Sequence, residues 1–151
     1  MRNTSRVGEV TSSQVLAALI AAGKRVWLPF GDSSRSDLVV EEEDGRLLRV
    51  QCKTGRIVRG ALYFPTCSFV ARSRTGVKTV RWPYRGEVDF FGVYCPDNGK
   101  VYLVSVNDVP TTGAFLRVEP PRNGQRTRIN WASKYEVGGV AQLGARLNGI
   151  Q

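Results

Sequence analysis

An acid at Asp37, an amide at Gln51 and a lysine at Lys53 lie on two segments whose patterns predict neighbouring β-strands. The segments are Ser36-Asp37-Leu38-Val39-Val40 and Arg46-Leu47-Leu48-Arg49-Val50-Gln51-Cys52-Lys53. A carboxylate, a second oxygen donor and an ammonium group are the parts needed to hold Mg²⁺ against a phosphodiester and to hydrolyse it. Asp37 would bind through a carboxylate oxygen, Gln51 through its amide oxygen and Cys52 through its backbone carbonyl. Lys53 would stand beside a metal-activated water and the scissile phosphate, where charge develops. Mn²⁺ can stand in for Mg²⁺ at such oxygen donors. Alone, a Gln-x-Lys strand end is a weak signal, because solvent-facing strands carry such residues by chance.

Side chains alternate along a strand, so Arg49, Gln51 and Lys53 share one face and Leu48, Val50 and Cys52 the other. Whether Asp37 meets Gln51 depends on the connecting loop. A two-residue Asp44-Gly45 turn pairs Glu43 with Arg46 and sets Asp37 opposite Cys52. A three-residue Glu43-Asp44-Gly45 loop, with Gly45 left-handed, pairs Glu42 with Arg46 and sets Asp37 opposite Gln51. Hydrolysis at this place requires the second arrangement or a compensating bulge.

The elements that must position these groups follow from periodicity. Val7, Val10, Val15, Leu16, Leu19 and Ile20 predict a helix over residues 4–22, stopped by Gly23. Glu9 on that helix either approaches the sheet or is an exposed acid favoured by the helix dipole. Strands are expected at 25–29, 37–42, 46–53, 61–69, 88–94, 101–106 and 115–118, with a turn at 56–60 and a short helix at 130–135. Residues 71–84, rich in Arg and Lys, read as an exposed loop or flap. Asp89 either supports the site from a strand start or bonds a nearby loop. The pattern is α+β with a mixed or antiparallel sheet.

The chain has 151 residues, 42% of them hydrophobic and 23% charged, as expected of one globular domain. No apolar run approaches the roughly 20 residues that span a bilayer. Residues 16–22 are apolar, but Glu9 precedes them and Lys24-Arg25 follow, unlike a signal peptide, so the cytoplasm is the expected compartment. Three cysteines (Cys52, Cys67, Cys95) without CxxC spacing predict reduced, buried thiols rather than disulfides or a zinc site. Histidine is absent altogether. That excludes Ser-His-Asp and Cys-His catalysis, HExxH zinc chemistry and any histidine base. There is no glycine-rich nucleotide loop, and so no nucleotide cofactor is expected.

Lys and Arg number 22 against 13 Asp and Glu, a formal charge of +9 that attracts polyanions. Arg72, Arg74, Lys78 and Arg81, beside Trp82 and Tyr84, would suit phosphate clamping and base-edge contact. Arg122, Arg126 and Arg128 form a second strip, and Arg35 and Arg56 flank the chemical motif as further DNA contacts.

Ordered blocks of the chain resemble the group I intron-associated branch of the PD-(D/E)XK endonucleases. They are Gly8-Glu9; Phe30-Gly31-Asp32-Ser33-Ser34-Arg35-Ser36-Asp37; Val50-Gln51-Cys52-Lys53-Thr54-Gly55-Arg56; Tyr84-Arg85-Gly86-Glu87-Val88-Asp89-Phe90-Phe91; Val101-Tyr102-Leu103-Val104; and Trp131-Ala132 with Tyr135-Glu136. The resemblance implies a restriction-endonuclease-like core, a mixed β-sheet flanked by helices, over residues 1–137, with 138–151 as a tail. It implies Mg²⁺-dependent double-strand DNA cleavage by a homo-oligomer, a dimer or tetramer, with one active site per strand cut, as in a site-specific homing endonuclease. Carried over by position, Glu9 is the helix acid and a further metal ligand, Asp37 the central ligand, and Gln51 and Lys53 the second half of the motif. Gln51 departs from the usual Asp or Glu, although members of this branch often carry Gln there. A structure-selective nuclease similar to Holliday-junction resolvases, or a non-catalytic DNA-binding module, are the alternatives.

Overall fold

The computed structural model describes residues 3–31, 33–72, 76 and 78–138, and the side chains of all of these except 70–72, 78 and 79. Helix α1 (Thr4–Ala21) opens the chain, with Asn3 Oδ1 accepting from the Arg6 N–H at 3.4 Å as its cap. It ends at Gly23, whose φ of +83° lets Gly23 N–H reach the Ile20 carbonyl and Lys24 N–H the Leu19 carbonyl. Thr11, Val15 and Leu19, four residues apart, form its buried stripe.

A five-stranded mixed sheet lies under that stripe, in the order β1 (Arg25–Trp27), β2 (Leu38–Glu41), β3 (Leu47–Thr54), β8 (Phe90–Cys95) and β9 (Lys100–Ser105). Strands β3 and β8 run parallel, and the other neighbours are antiparallel. Val15 and Leu19 pack with Leu38, Val40, Val50, Cys52 and Phe90 on one face. Burying each large aliphatic side chain there is worth about 1.5–3 kcal/mol. The opposite face of β8 and β9, with Phe91, Val93 and Val104, packs on a three-stranded antiparallel sheet of β4 (Arg56–Val58), β5 (Ala61–Phe64) and β10 (Ala114–Arg117). A 3₁₀ turn, Ala132–Tyr135, closes that second core. The core is thus the expected mixed sheet, with α1 over one face and the small sheet over part of the other.

Close approach of α1 to the sheet depends on Gly92. A Cβ there would fall 2.7 Å from Val15 Cγ1 and 3.0 Å from Val50 Cγ1. Gly92→Ala is expected to destabilise the protein by about 1–3 kcal/mol, read as a lowered denaturation midpoint. An unchanged midpoint would contradict this packing.

Three expectations are corrected by the strands. Residues 71–84 are not a loop: β6 (Cys67–Arg72) and β7 (Lys78–Pro83) pair antiparallel as a two-stranded ribbon. Among its described side chains Phe69, Val80 and Trp82 are exposed, so these apolar residues give no inward alternation to read. The turn expected at 56–60 begins as β4, which is joined to β5 by Arg59-Gly60 with φ of +50° and +76°. The strand expected at 61–69 is broken at Pro65-Thr66 into β5 and β6. All three cysteines are free and buried. Among the described residues no helix is long and apolar enough to cross a membrane. Residues 139–151, most of the expected tail, lie outside the described residues.

Candidate active site

The β2–β3 loop has three residues. Glu42 N–H donates to the Arg46 carbonyl at 2.8 Å, Gly45 N–H to the Glu42 carbonyl at 2.9 Å, and Gly45 has φ of +87°. Asp44 braces the turn by accepting from Arg46 Nε at 2.7 Å. The register Leu38↔Val50 follows, which brings Asp37 alongside Gln51. Asp37 N–H donates to the Val50 carbonyl at 2.8 Å, one residue out of step with that ladder, so the chain also bulges here.

The bulge sends the Asp37 carboxylate across the end of β2 onto β3. Because β2 starts at Leu38, the Cys52 N–H has no ladder partner, and Asp37 Oδ2 accepts it at 2.8 Å. N–H and C=O of one strand residue point the same way, so the Cys52 carbonyl opens into the same gap. Gln51 reaches that carbonyl too, its Nε2 donating at 3.4 Å. Rotating the amide by half a turn would present its oxygen to the gap instead. Burial raises the Asp37 carboxyl above the usual carboxylate range, and the Cys52 N–H and Lys53 charge offset this only in part. Burial, reinforced by Asp37, pushes the Cys52 thiol up to about 12, which makes it an inert packing group.

Helix α1 supplies the other wall. Glu9, Ser12, Asp37, Gln51 and Cys52 line one cleft of about 860 Å³. Glu9 is exposed in the second turn of α1, at the edge of this cleft and beyond the first turn, where the helix dipole acts. Thr11 and Thr54 hydroxyls, 2.6 Å apart, pin this part of the helix to the end of β3. Among the described residues no group of three or more His, Cys, Asp or Glu side chains could hold a metal. Any cation here must therefore use the amide and carbonyl oxygens beside Asp37 and Glu9. Such an all-oxygen set with few charges fits Mg²⁺, which keeps several waters of its own.

Lys53 stands on the ribbon side of the site. Its Nζ donates to Tyr84 Oη at 3.1 Å and lies 4.5 Å from the centre of the Tyr84 ring. Burial raises the Tyr84 phenol, but Lys53, then Arg35 and Ser68, outweigh it, and the net shift is downward. Arg35, expected at the DNA, is partly covered and bonded within the fold. Its guanidinium lies between the Trp82 and Tyr84 rings, at 4.0 and 3.8 Å. Both terminal nitrogens are engaged, with the Pro83 carbonyl, Glu87, Ser68 and the Trp82 carbonyl at 2.8–2.9 Å. Tyr84 itself is buried. Asp89 accepts from the Arg49 N–H at 2.7 Å and from its guanidinium, so its bonds go to strand β3 and not to a loop.

The profile of the PD-(D/E)XK endonuclease family matches residues 2–138. The chain belongs to that family. It is a DNA endonuclease. A solved structure, described as that of the bacterial homing endonuclease I-Ssp6803I, superposes with a TM-score of 0.73 over 99% of this chain and 98% of the other. Identity between the two is 23%, so the likeness establishes the fold. No curated protein matches the sequence.

The remaining basic residues of the endonuclease fall in separate places. Arg81 is exposed on the ribbon, whereas Arg74 and the side chains of Arg72 and Lys78 lie outside the described residues. Arg56 lies 5.2 Å over the Tyr63 ring. Arg122, Arg126 and Arg128 are exposed in the segment after β10. Arg59, Arg117 and Arg122 line a concave surface of about 480 Å³ nearby.

Proposed function

We propose that this endonuclease is a Mg²⁺-dependent, site-specific homing endonuclease that cuts both strands of duplex DNA as a homo-oligomer in the cytoplasm. The observation that carries this reading is the gap at the end of β2, where the Asp37 carboxylate, the Cys52 carbonyl and the Gln51 amide converge beside Lys53. The described likeness of the fold to a homing endonuclease supports the same reading. The nuclease domain spans residues 1–137.

Asp37, Gln51 and the Cys52 carbonyl, with Glu9 from α1, would hold the cation. When bound, Mg²⁺ supplies Lewis acidity to the phosphate and acidifies water. The chain's own groups do the rest. Lys53 would place its ammonium where charge builds on the phosphate. Arg56, Arg72, Arg74, Lys78 and Arg81, with Arg122, Arg126 and Arg128, would grip the phosphate backbone. One chain carries one such site, so cutting both strands needs a second copy. Light scattering is expected to show a dimer or tetramer.

Supercoiled plasmid carrying the target, incubated with Mg²⁺ and with EDTA, tests the reading. Discrete linear fragments with Mg²⁺ and none with EDTA are expected. Cleavage unaffected by chelation would overturn it, and preference for a four-way junction over linear duplex would favour the resolvase alternative. Binding to duplex should weaken by about 10³-fold or more between about 50 and 200 mM salt.

A further inference from the structure

Lys53 is the one cation the proposed hydrolysis asks to be in a fixed place, yet a lysine side chain has four rotatable bonds. Confining it costs up to about 2 kcal/mol of rotamer entropy. Something must hold it before DNA arrives. Tyr84 follows directly on Pro83, the last residue of β7, and its carbonyl accepts from Glu87 and Val88 N–H groups at 3.0 and 3.1 Å. Its ring is 5% exposed and meets Phe91 edge-on, with centroids 5.7 Å apart and planes at 89°. The opposing contacts are cationic, Arg35 at 3.8 Å and Lys53 at 4.5 Å from the ring centre. Fixed by core packing and a backbone turn, the phenol oxygen becomes a rigid acceptor 3.1 Å from Lys53 Nζ.

We infer that Tyr84 is a positioning residue for Lys53, and that Arg35, clamped in the foot of the β6–β7 ribbon, holds Tyr84 in register. This rests on the reading of the Asp37–Lys53 gap as the hydrolytic centre. One of the three ammonium N–H groups is taken by Tyr84 Oη, which leaves two for a phosphate oxygen and its water. Arg35 stands two residues before Asp37, so a single guanidinium ties the ribbon to both halves of the site. The arrangement also explains why Arg35 turns toward the Pro83 and Trp82 carbonyls of its own fold.

Tyr84→Phe keeps the ring and its packing but removes the acceptor. At saturating plasmid with Mg²⁺, its cleavage rate should fall about tenfold or more. Duplex affinity measured with Ca²⁺, and the melting temperature, should stay at wild-type values. Independently of activity, the Lys53 ammonium should give a resolved ¹H–¹⁵N signal in the wild type that is lost or shifted in Tyr84→Phe. An unchanged rate, or an unchanged ammonium signal, would overturn the inference. If the wild type fails to cleave with Mg²⁺, the hydrolytic reading falls, while the ammonium signal still decides whether Tyr84 holds Lys53. Arg35→Lys separates support from phosphate contact: cleavage should fall with the salt slope of binding unchanged. A slope reduced by about one would place Arg35 on DNA and overturn its part.

Discussion

Lys53→Ala leaves the endonuclease folded and bound to duplex DNA while strand cleavage falls by about a thousandfold. The side chain is half-buried at the end of β3, so its removal opens no core cavity. Nor does it orphan Tyr84, whose phenol keeps Arg35 and Ser68 as partners. What disappears is the positive charge beside Asp37. A cation at that place matters little to bound, ground-state DNA and much to the phosphate as charge builds on it, so the loss falls on the rate and not on affinity. Plasmid cleavage at saturating enzyme, together with a binding isotherm in Ca²⁺, reads both quantities. Wild-type cleavage by the variant would remove Lys53 from the site.

Asp37→Asn should lower cleavage by about 10³-fold or more, since the cation's Lewis acidity is worth several kcal/mol, and yet make the metal-free protein melt higher at neutral pH. Burial holds the Asp37 carboxyl above its ordinary range. For a carboxyl raised on folding, the stability it contributes is complete below the unfolded value and is lost as pH rises through the folded one. The ionised group is therefore a cost at pH 7. Asparagine removes that cost while its amide oxygen still accepts from the Cys52 N–H. The gain should vanish below about pH 3.9, where the wild-type carboxyl is protonated in both states. Mg²⁺ should raise the melting temperature of the wild type by more than that of the variant, which keeps Glu9 but loses the central carboxylate. Melting curves at pH 7 and at acid pH, with and without Mg²⁺, check each sign. A variant that melts lower than wild type without metal would contradict the strained carboxylate.

Local rules made the centre of the fold legible. Gly23 and the spacing of Val15 and Leu19 announce α1, and Gly45 after Glu43-Asp44 permits the three-residue loop on which the site's register depends. Parity alone left two registers open; the structure selects the odd loop and adds a bulge at Asp37. The ribbon was hidden because its apolar residues Phe69, Val80 and Trp82 are exposed, so they do not mark a buried strand face. The turn at Arg59-Gly60 was legible, but strand β4 before it was not, because three residues, Arg56–Val58, are too short to show an alternation. The bonds that Tyr84 and Arg35 make within the fold were hidden for a different reason. Their partners lie 31 residues or more away along the chain, Lys53 for Tyr84, and Ser68 and Glu87 for Arg35. No spacing rule carries contacts of that kind, and a run of basic and aromatic residues looks the same whether it faces solvent or its own fold.

Crystals soaked in Mn²⁺ and recorded at the manganese absorption edge give the most direct test. One anomalous peak within about 2.3 Å of an Asp37 carboxylate oxygen and the Cys52 carbonyl, with the Gln51 amide turned oxygen-inward, is the predicted result. A fully occupied peak elsewhere with this gap left empty would contradict the account.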